Sequence, residues 1–445
     1  MPESQVPRPC DLLVRAGVAL RTGGRDASED VAVAVLGGRI AAVGPAAEMA
    51  RQWSPAETLG GGDRLLMPGL INTHNHSPLM MMRGMIEDLA FAPAYTPGVP
   101  RADQLSAEET GVFARLGIYE ALAAGATAQI DFYRHPDAIA HAMDEIGVRA
   151  IVCGRVMDVD ADALAAGRRV HDVALGQDLL DESLDAHARW NGHGDGMIRV
   201  ELSPHAADTV GHATMARVAE AAERLGVRAH THLSQSRGEM AYVQERDGAG
   251  PVDAFERAGL LGRRLVAAHC VYLEPAELAR FGQSGAIAAH SPVGNALSGM
   301  AAPMLAIEAA GATICLCTDT KSSDMFEAMR LAIVAARRHG ANFEPKAEHV
   351  LGWLYEGGAA AFGMEGELGR LDVGSPADMI LLDLEAPNLA PLVEPARGLV
   401  YAANAGNVVS VIVAGRPLIV ERATRGFDGP AIVAEAKTLA RSLWS

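Results

Sequence analysis

Along the first 66 residues, apolar runs alternate with glycine-rich turns: DLLVRAGVAL, then VAVAVLGGRIAAVG, then a loop ending in GGGDRLLMPG. Runs rich in β-branched residues and bounded by Gly, Asp and Pro read as strands, so this portion is expected to be a small β domain. From Met67 the rhythm changes. Short apolar strands alternate with Ala-rich stretches of helical spacing, such as AEETGVFARLGIYEALAAG and HATMARVAEAAERLG, each closed by a glycine where a helix C-cap favours one. Eight such strands precede residue 320, ending near His76, Phe132, Gly154, Ser203, His232, His269, His290 and Asp319. Strand and helix alternating about eight times in roughly 250 residues is the arithmetic of a (β/α)8 TIM-like barrel.

After a helical stretch that ends at residue 363 the pattern returns to β, in LGRLDVGSPADMILLDLEAP and NVVSVIVAGRPLIV, and AIVAEAKTLARSLW then reads as a last helix. These runs resemble the N-terminal ones more than the barrel. The expected fold is therefore α/β: a barrel over residues 67–363 and a discontinuous β-sandwich domain, 1–66 and 364–445, formed by both chain ends.

Composition narrows the partners. Lys+Arg 38 against Asp+Glu 55 gives a net charge of −17, which opposes nucleic acid and anionic membranes and favours a small neutral or cationic molecule. The five cysteines form no regular framework, and neither a signal-like segment nor an apolar run of membrane length is visible, so a cytoplasmic protein with free thiols is expected. Cys315 and Cys317 share a strand face but lack a second thiol pair, and they read as small buried apolar residues. Arg337, Arg338 and His339 read as a solvated helix end. No G-x-S-x-G elbow, dinucleotide fingerprint or P-loop is present. A homodimer is the expected oligomer, as the common outcome for soluble chains.

Chemistry concentrates where the apolar runs end. His74 and His76 close LLMPGLINTHNH, His232 closes VRAHTH, His269 closes RLVAAH, and Asp319 follows ATICLCT. Side chains two apart on a strand point the same way, so His74 and His76 make a rigid pair. A parallel barrel gathers strand ends at one mouth, and these residues together suggest a divalent-metal site. Spacing leaves the ligand in His230-Thr231-His232 ambiguous. His232, nearer the mouth, is favoured, and His230 reads as a core or supporting histidine.

The segments PGLINTHNH, HLSQS, AHCVYL, CTDT running into DMFEAMRLA, and GSPADMILLDL resemble the amidohydrolase superfamily, in its triazine hydrolase, guanine deaminase and S-adenosylhomocysteine deaminase-like branch. The resemblance spans nearly the whole chain. It implies one zinc or iron ion held by His74, His76, His232 and Asp319, with His269 at the metal-bound water or the substrate and His205 lining the pocket. Such a site lowers the pKa of a bound water toward neutrality and yields a hydroxide nucleophile. Asp319 would take its proton, and His269 would orient it or polarise the substrate. Binuclear relatives carry a lysine on the fourth strand. Here that strand reads MIRVELSPH, which favours one metal and leaves Glu201 as an alternative bridging ligand.

One position departs from the branch. Where its deaminases have Glu after the third histidine, HLSQS has Gln235, and an amide cannot transfer a proton at neutral pH. Three readings stand: the substrate needs no such help, Glu239 turns inward and replaces it, or the protein binds metal and ligand with little turnover. The implied activity is hydrolysis of a C–N bond of a nitrogen heterocycle, by deamination or, alternatively, by ring opening of a cyclic amide or loss of another leaving group. Further substrate-binding candidates are Arg83, Asn295 and Gln235 itself, with Met80, Met81, Met82, Met85, Phe91 and Tyr95 as an apolar wall and His290 near the mouth. Arg83 reads equally as a salt bridge to Glu87 or Asp88.

Overall fold

The computed structural model describes residues 6–85, 104–320, 322–338 and 343–444. The N-terminal apolar runs form β1 (Arg8–Leu20), β2 (Ala27–Leu36), β3 (Arg39–Pro45) and β4 (Trp53–Pro68). β1 pairs antiparallel with β2 but parallel with β4, because the helix Ala46–Gln52 carries the chain back between β3 and β4. Gly60 has φ +76°, and a Cβ there would lie 2.2 Å from the Arg15 carbonyl oxygen. The two long strands meet at that point only because the residue has no side chain.

The alternating region builds the barrel. β5 (Leu70–Asn75), β6 (Ala126–Tyr133), β7 (Arg149–Val156), β8 (Ile198–Pro204), β9 (Ala229–Leu233), β10 (Leu265–His269), β11 (Ile287–His290) and β12 (Thr313–Leu316) form one eight-stranded parallel sheet in sequence order. β6 and β7 are buried at every position, as strands covered outside and filled inside must be. Strand ends fall within two residues of the sequence expectation except the last, which stops at Leu316. Thr318 and Asp319 belong instead to the turn that closes the barrel. Asp319 N–H donates to the His74 carbonyl (3.0 Å), while Asn72 donates to the Thr318 hydroxyl (2.8 Å) and accepts its backbone N–H (3.1 Å).

The outer helices begin and end as their sequences dictate. Ala107–Ala123 starts with a capping box, Ser106 accepting from Glu109 N–H and Glu109 accepting from Ser106 N–H. His212–Leu225 stops at Gly226, φ +70°.

Beyond the helix that ends at Phe362 come β13 (Met379–Asp383), β14 (Val408–Val413), β15 (Arg416–Val420) and β16 (Ala423–Thr424). β13 pairs antiparallel with β4, so both chain ends share one eight-stranded sheet, ordered β16-β15-β14-β13-β4-β1-β2-β3. Leu12, Val14 and Val33 from one end and Met379, Leu381 and Ile412 from the other fill a single apolar cluster. The α/β architecture expected from the sequence, a (β/α)8 barrel with a composite β unit from both ends, is the one observed. No described helix is long and apolar enough to cross a membrane.

Candidate active site

Three imidazoles meet at the C-terminal ends of β5 and β9. His74 Nε2 lies 3.1 Å from His76 Nε2, which lies 3.3 Å from His232 Nε2. The other ring nitrogens settle the tautomers: His76 Nδ1–H donates to the Phe132 carbonyl and His232 Nδ1–H to the His205 carbonyl (2.9 Å). Both Nε2 atoms therefore carry lone pairs. Burial, then the neighbouring imidazoles, holds His74 and His232 well below the usual histidine range. Burial also lowers His76, against an opposing pull from Asp319 and the Phe132 carbonyl. Converging neutral lone pairs repel one another, and a cation between them reverses the sign. A tetrahedral site with metal–nitrogen bonds of about 2.0–2.1 Å has nitrogen–nitrogen edges of roughly 3.3 Å, close to those found. Asp319 adds a carboxylate, with Oδ1 3.5 Å from His76 Nε2 and Oδ2 3.8 Å from His269 Nε2. The donor set fits a divalent ion.

His230 is not in that group. Its Nε2 is 2.6 Å from Glu201 Oε2, a buried pair across β8 and β9. The same contact engages Glu201, the residue considered as a bridging ligand. Among the described residues the one metal-competent cluster of His, Cys, Asp and Glu is His74, His76 and His232. Cys315 and Cys317 are fully buried, and burial pushes the Cys315 thiol up to about 12.

Backbone conformation marks the same strand ends. Ser234, His269, Cys270 and Asp319 all have positive φ, between +49° and +75°. Non-glycine residues held there cost on the order of 1–3 kcal/mol each and persist where their surroundings fix them. The surroundings here include bonds from Cys270 N–H to the Leu233 carbonyl (3.0 Å) and from Asp319 N–H to His74.

His205, after β8, donates from Nδ1 to Thr209 Oγ1 (2.7 Å), while its carbonyl holds His232. Gln235 follows β9 and is partly buried. Glu239 is not the solvated helix residue that is the ordinary expectation for its position; it is 0 % exposed. Its carboxylate accepts the backbone N–H groups of Ser234 (3.0 Å) and Gln235 (2.8 Å). Burial, then Asp208, pushes its pKa well up. Both oxygens are thus occupied by the loop that carries Gln235.

Arg83 is exposed and pairs with Glu120, not with the histidine cluster; Glu87, Asp88, Phe91 and Tyr95 lie outside the described residues. Asn295 is 1 % exposed, and its Oδ1 meets His269 Nδ1 at 3.1 Å. Met80, Met81 and Met82 are buried, whereas Met85 is exposed. His290 is buried and thereby lowered to about 3. Arg337 is no solvated helix end: it bonds to Tyr401 Oη (2.9 Å) and lies over the Phe343 ring; His339 lies outside the described residues.

Sequence reasoning missed Arg155 and Asp131. Arg155, on β7, is 3 % exposed, lies 5.0 Å over the Tyr133 ring, and its charge helps hold His205 down. It borders a cavity of about 160 Å³ shared with Arg134 and Met157. The available signal was a charged residue at a barrel strand's C-terminal end, one position beyond the expected end at Gly154. A larger cavity, about 630 Å³, is lined by Arg149 and Ile198 at the opposite ends of β7 and β8, away from this chemistry.

Comparison with known proteins places the chain among relatives. The model of the amidohydrolase family matches residues 65–418, and that of an imidazolonepropionase-like composite domain from bacteria matches residues 32–53. A 5-methylthioadenosine/S-adenosylhomocysteine deaminase of Nitratidesulfovibrio vulgaris (strain DP4) is 34% identical over 442 residues, 97% of each chain. The Moorella thermoacetica enzyme of the same name is 33% identical over 416 residues, 91% of this chain and 93% of that one. Among solved structures, an adenosine deaminase from Xanthomonas campestris with bound zinc superposes with a TM-score of 0.88 at 29% identity, covering 98% of this chain and 99% of that one. Atrazine chlorohydrolase from Arthrobacter aurescens TC1, complexed with zinc, shares the fold at 22% identity and a TM-score of 0.83, covering 96% and 100%.

Proposed function

The chain belongs to the amidohydrolase family, and from that premise we propose that it deaminates an adenine nucleoside, replacing the exocyclic amino group with oxygen and releasing ammonia. The observation that carries this reading is the convergence of three imidazole Nε2 atoms, Asp319 and His269 at the barrel mouth. The adenine ring is common to the substrates in the names of the deaminases among the relatives. One divalent ion, zinc before iron, would be held by His74, His76, His232 and Asp319. When bound it supplies a Lewis acid that brings the pKa of water toward neutrality.

The chain's own groups handle the protons. Water oxygen joins the ring carbon, and the carbon–nitrogen bond breaks. One water proton ends on the departing ammonia and the other on the ring nitrogen of the product. Asp319 Oδ2, between Ser291 Oγ (3.3 Å) and His269 Nε2, is placed to take a proton and return it. His269 and His205 present ring nitrogens to the substrate, and Arg155 sets the charge of that wall. Gln235 can hydrogen-bond the ring but cannot protonate it. Glu239 does not replace the missing acid, because its carboxylate serves the Ser234 and Gln235 amides.

The proposal includes a catalytic barrel over 67–363, a β domain of 1–66 and 364–445, and a homodimer, the last tested by light scattering. Purified protein is expected to carry about one equivalent of metal, to release ammonia from adenosine, 5′-methylthioadenosine or S-adenosylhomocysteine, and to lose that turnover to a chelator. Asp319→Asn should lower kcat by about 10²–10⁴ with the fold intact. Absence of stoichiometric metal, or turnover indifferent to chelation, overturns the reading. Gln235 favours one second reading, hydrolysis of a ring that needs no protonation; a mass gain of one water without ammonia would identify it.

A further inference from the structure

We propose that Asn295 is a positioning residue that fixes the tautomer of His269, rather than a residue that binds substrate. The inference rests on the deaminase reading only for its kinetic consequence. His269 Nδ1 and Asn295 Oδ1 are 3.1 Å apart, and the two residues are 4 % and 1 % exposed. An amide oxygen only accepts, so a proton sits on Nδ1 and, in the neutral ring, the lone pair is on Nε2. Nε2 is the atom that faces Asp319 Oδ2 at 3.8 Å. Both atoms then present lone pairs to any proton-bearing group between them. The opposite tautomer would place a donor there and leave Nδ1 without its bond.

The amide is held by the turn that follows β11. Asn295 N–H donates to the Ser291 carbonyl (3.2 Å), and its own carbonyl accepts from Ser298 (3.1 Å) and Met300 (2.8 Å). Its Nδ2 has no protein partner among the described residues, so the His269 bond is what orients the side chain. The same turn reaches Asp319: Ser291 Oγ donates to Oδ2, and a Cβ on Gly294 would come within 3.1 Å of that oxygen. One short segment therefore orients both groups that flank the reacting position, with a glycine allowing the approach. Partners that orient metal-binding histidines are typically worth 10–100-fold in activity, and an effect of that order is expected for His269.

Two variants separate positioning from substrate binding and from packing. Asn295→Leu keeps the volume and removes the acceptor, whereas Asn295→Asp keeps the acceptor and removes the amide donor. Histidine tautomers are read from ¹⁵N shifts of ¹⁵N-histidine-labelled, zinc-loaded protein, with His269 assigned by its loss in His269→Gln. The wild type is expected to show His269 protonated on Nδ1. Asn295→Leu should lose that single-tautomer signature, and its kcat on adenosine or 5′-methylthioadenosine should fall about 10–100-fold with KM changed by less than about three-fold. Asn295→Asp should keep the Nδ1–H signature and most of kcat. The proposal is overturned if His269 stays on Nδ1 in Asn295→Leu, or if Asn295→Asp is as impaired as Asn295→Leu. A rise in KM at constant kcat would also overturn it, since that assigns Asn295 to substrate. A wild type that releases no ammonia would sink the deaminase reading, while the shifts would still decide the tautomer.

Discussion

Asp131, on β6, is fully buried beside the first strand end, where its carboxylate meets the Ser77 N–H at 3.1 and 3.3 Å. Burial raises its pKa from 3.8 to about 7, more than that backbone bond lowers it. A raised acid binds more protons folded than unfolded between those two values, so stability falls as pH rises through that window. The full shift corresponds to roughly 4 kcal/mol as an upper figure. Asp131→Asn should therefore become relatively more stable as pH goes from 4 to 8, measured by urea unfolding of both proteins; parallel pH profiles would refute this. At this scale the histidines and Asp319 were readable because each closes an apolar run. Asp131 and Arg155 were not, because their partners, Ser77 and Tyr133, come from other parts of the fold.

The loop and helix after β9 show what an element adds to its residues. Ser236 caps the helix Arg237–Asp247 by accepting from Glu239 N–H (3.0 Å), and Glu239 returns its carboxylate to the two preceding backbone amides. The reciprocal arrangement holds Ser234 at φ +49° and ties down the Gln235 backbone N–H. Glu239→Ala would strand two buried N–H groups, each costing about 1–3 kcal/mol, and Glu239→Gln, which keeps one acceptor oxygen, should cost less. Urea midpoints of the two variants test the order. The longer helices were foreseeable from their spacing and caps, whereas QSRGE allowed a helix without requiring one. That the Glu239 carboxylate turns inward was one reading among three, because a Glu in a first helical turn is ordinarily solvated; burial and the bonds to Ser234 and Gln235 decide it.

Across the whole molecule, the barrel and the composite sheet are joined at the end of the barrel opposite the histidine cluster. Arg149, which opens β7, donates from Nε and Nη2 to Asp378 (2.7 and 3.3 Å), and Asp378 also accepts Ala414 N–H (2.7 Å). Both side chains of the pair are nearly inaccessible. Arg149→Met leaves a buried carboxylate uncompensated and should destabilise by about 3–5 kcal/mol, visible as a lowered urea midpoint; a change under about 1 kcal/mol would show the joint to be unimportant. Taken by itself, the sequence determined the periodicity of strands and helices, the chain-end β unit, and the set of polar residues that end the apolar runs. These are local: alternation, caps and glycine stops are written in neighbouring residues. Tertiary structure alone decided that Glu201 pairs with His230, which leaves His232, already favoured in the sequence, to join His74 and His76, and that Asn295 meets His269. Those outcomes depend on contacts between residues 26 to 156 positions apart in the chain, and within β8, β9 and β10 a one-residue slip in register would turn the strand side chains to the opposite face.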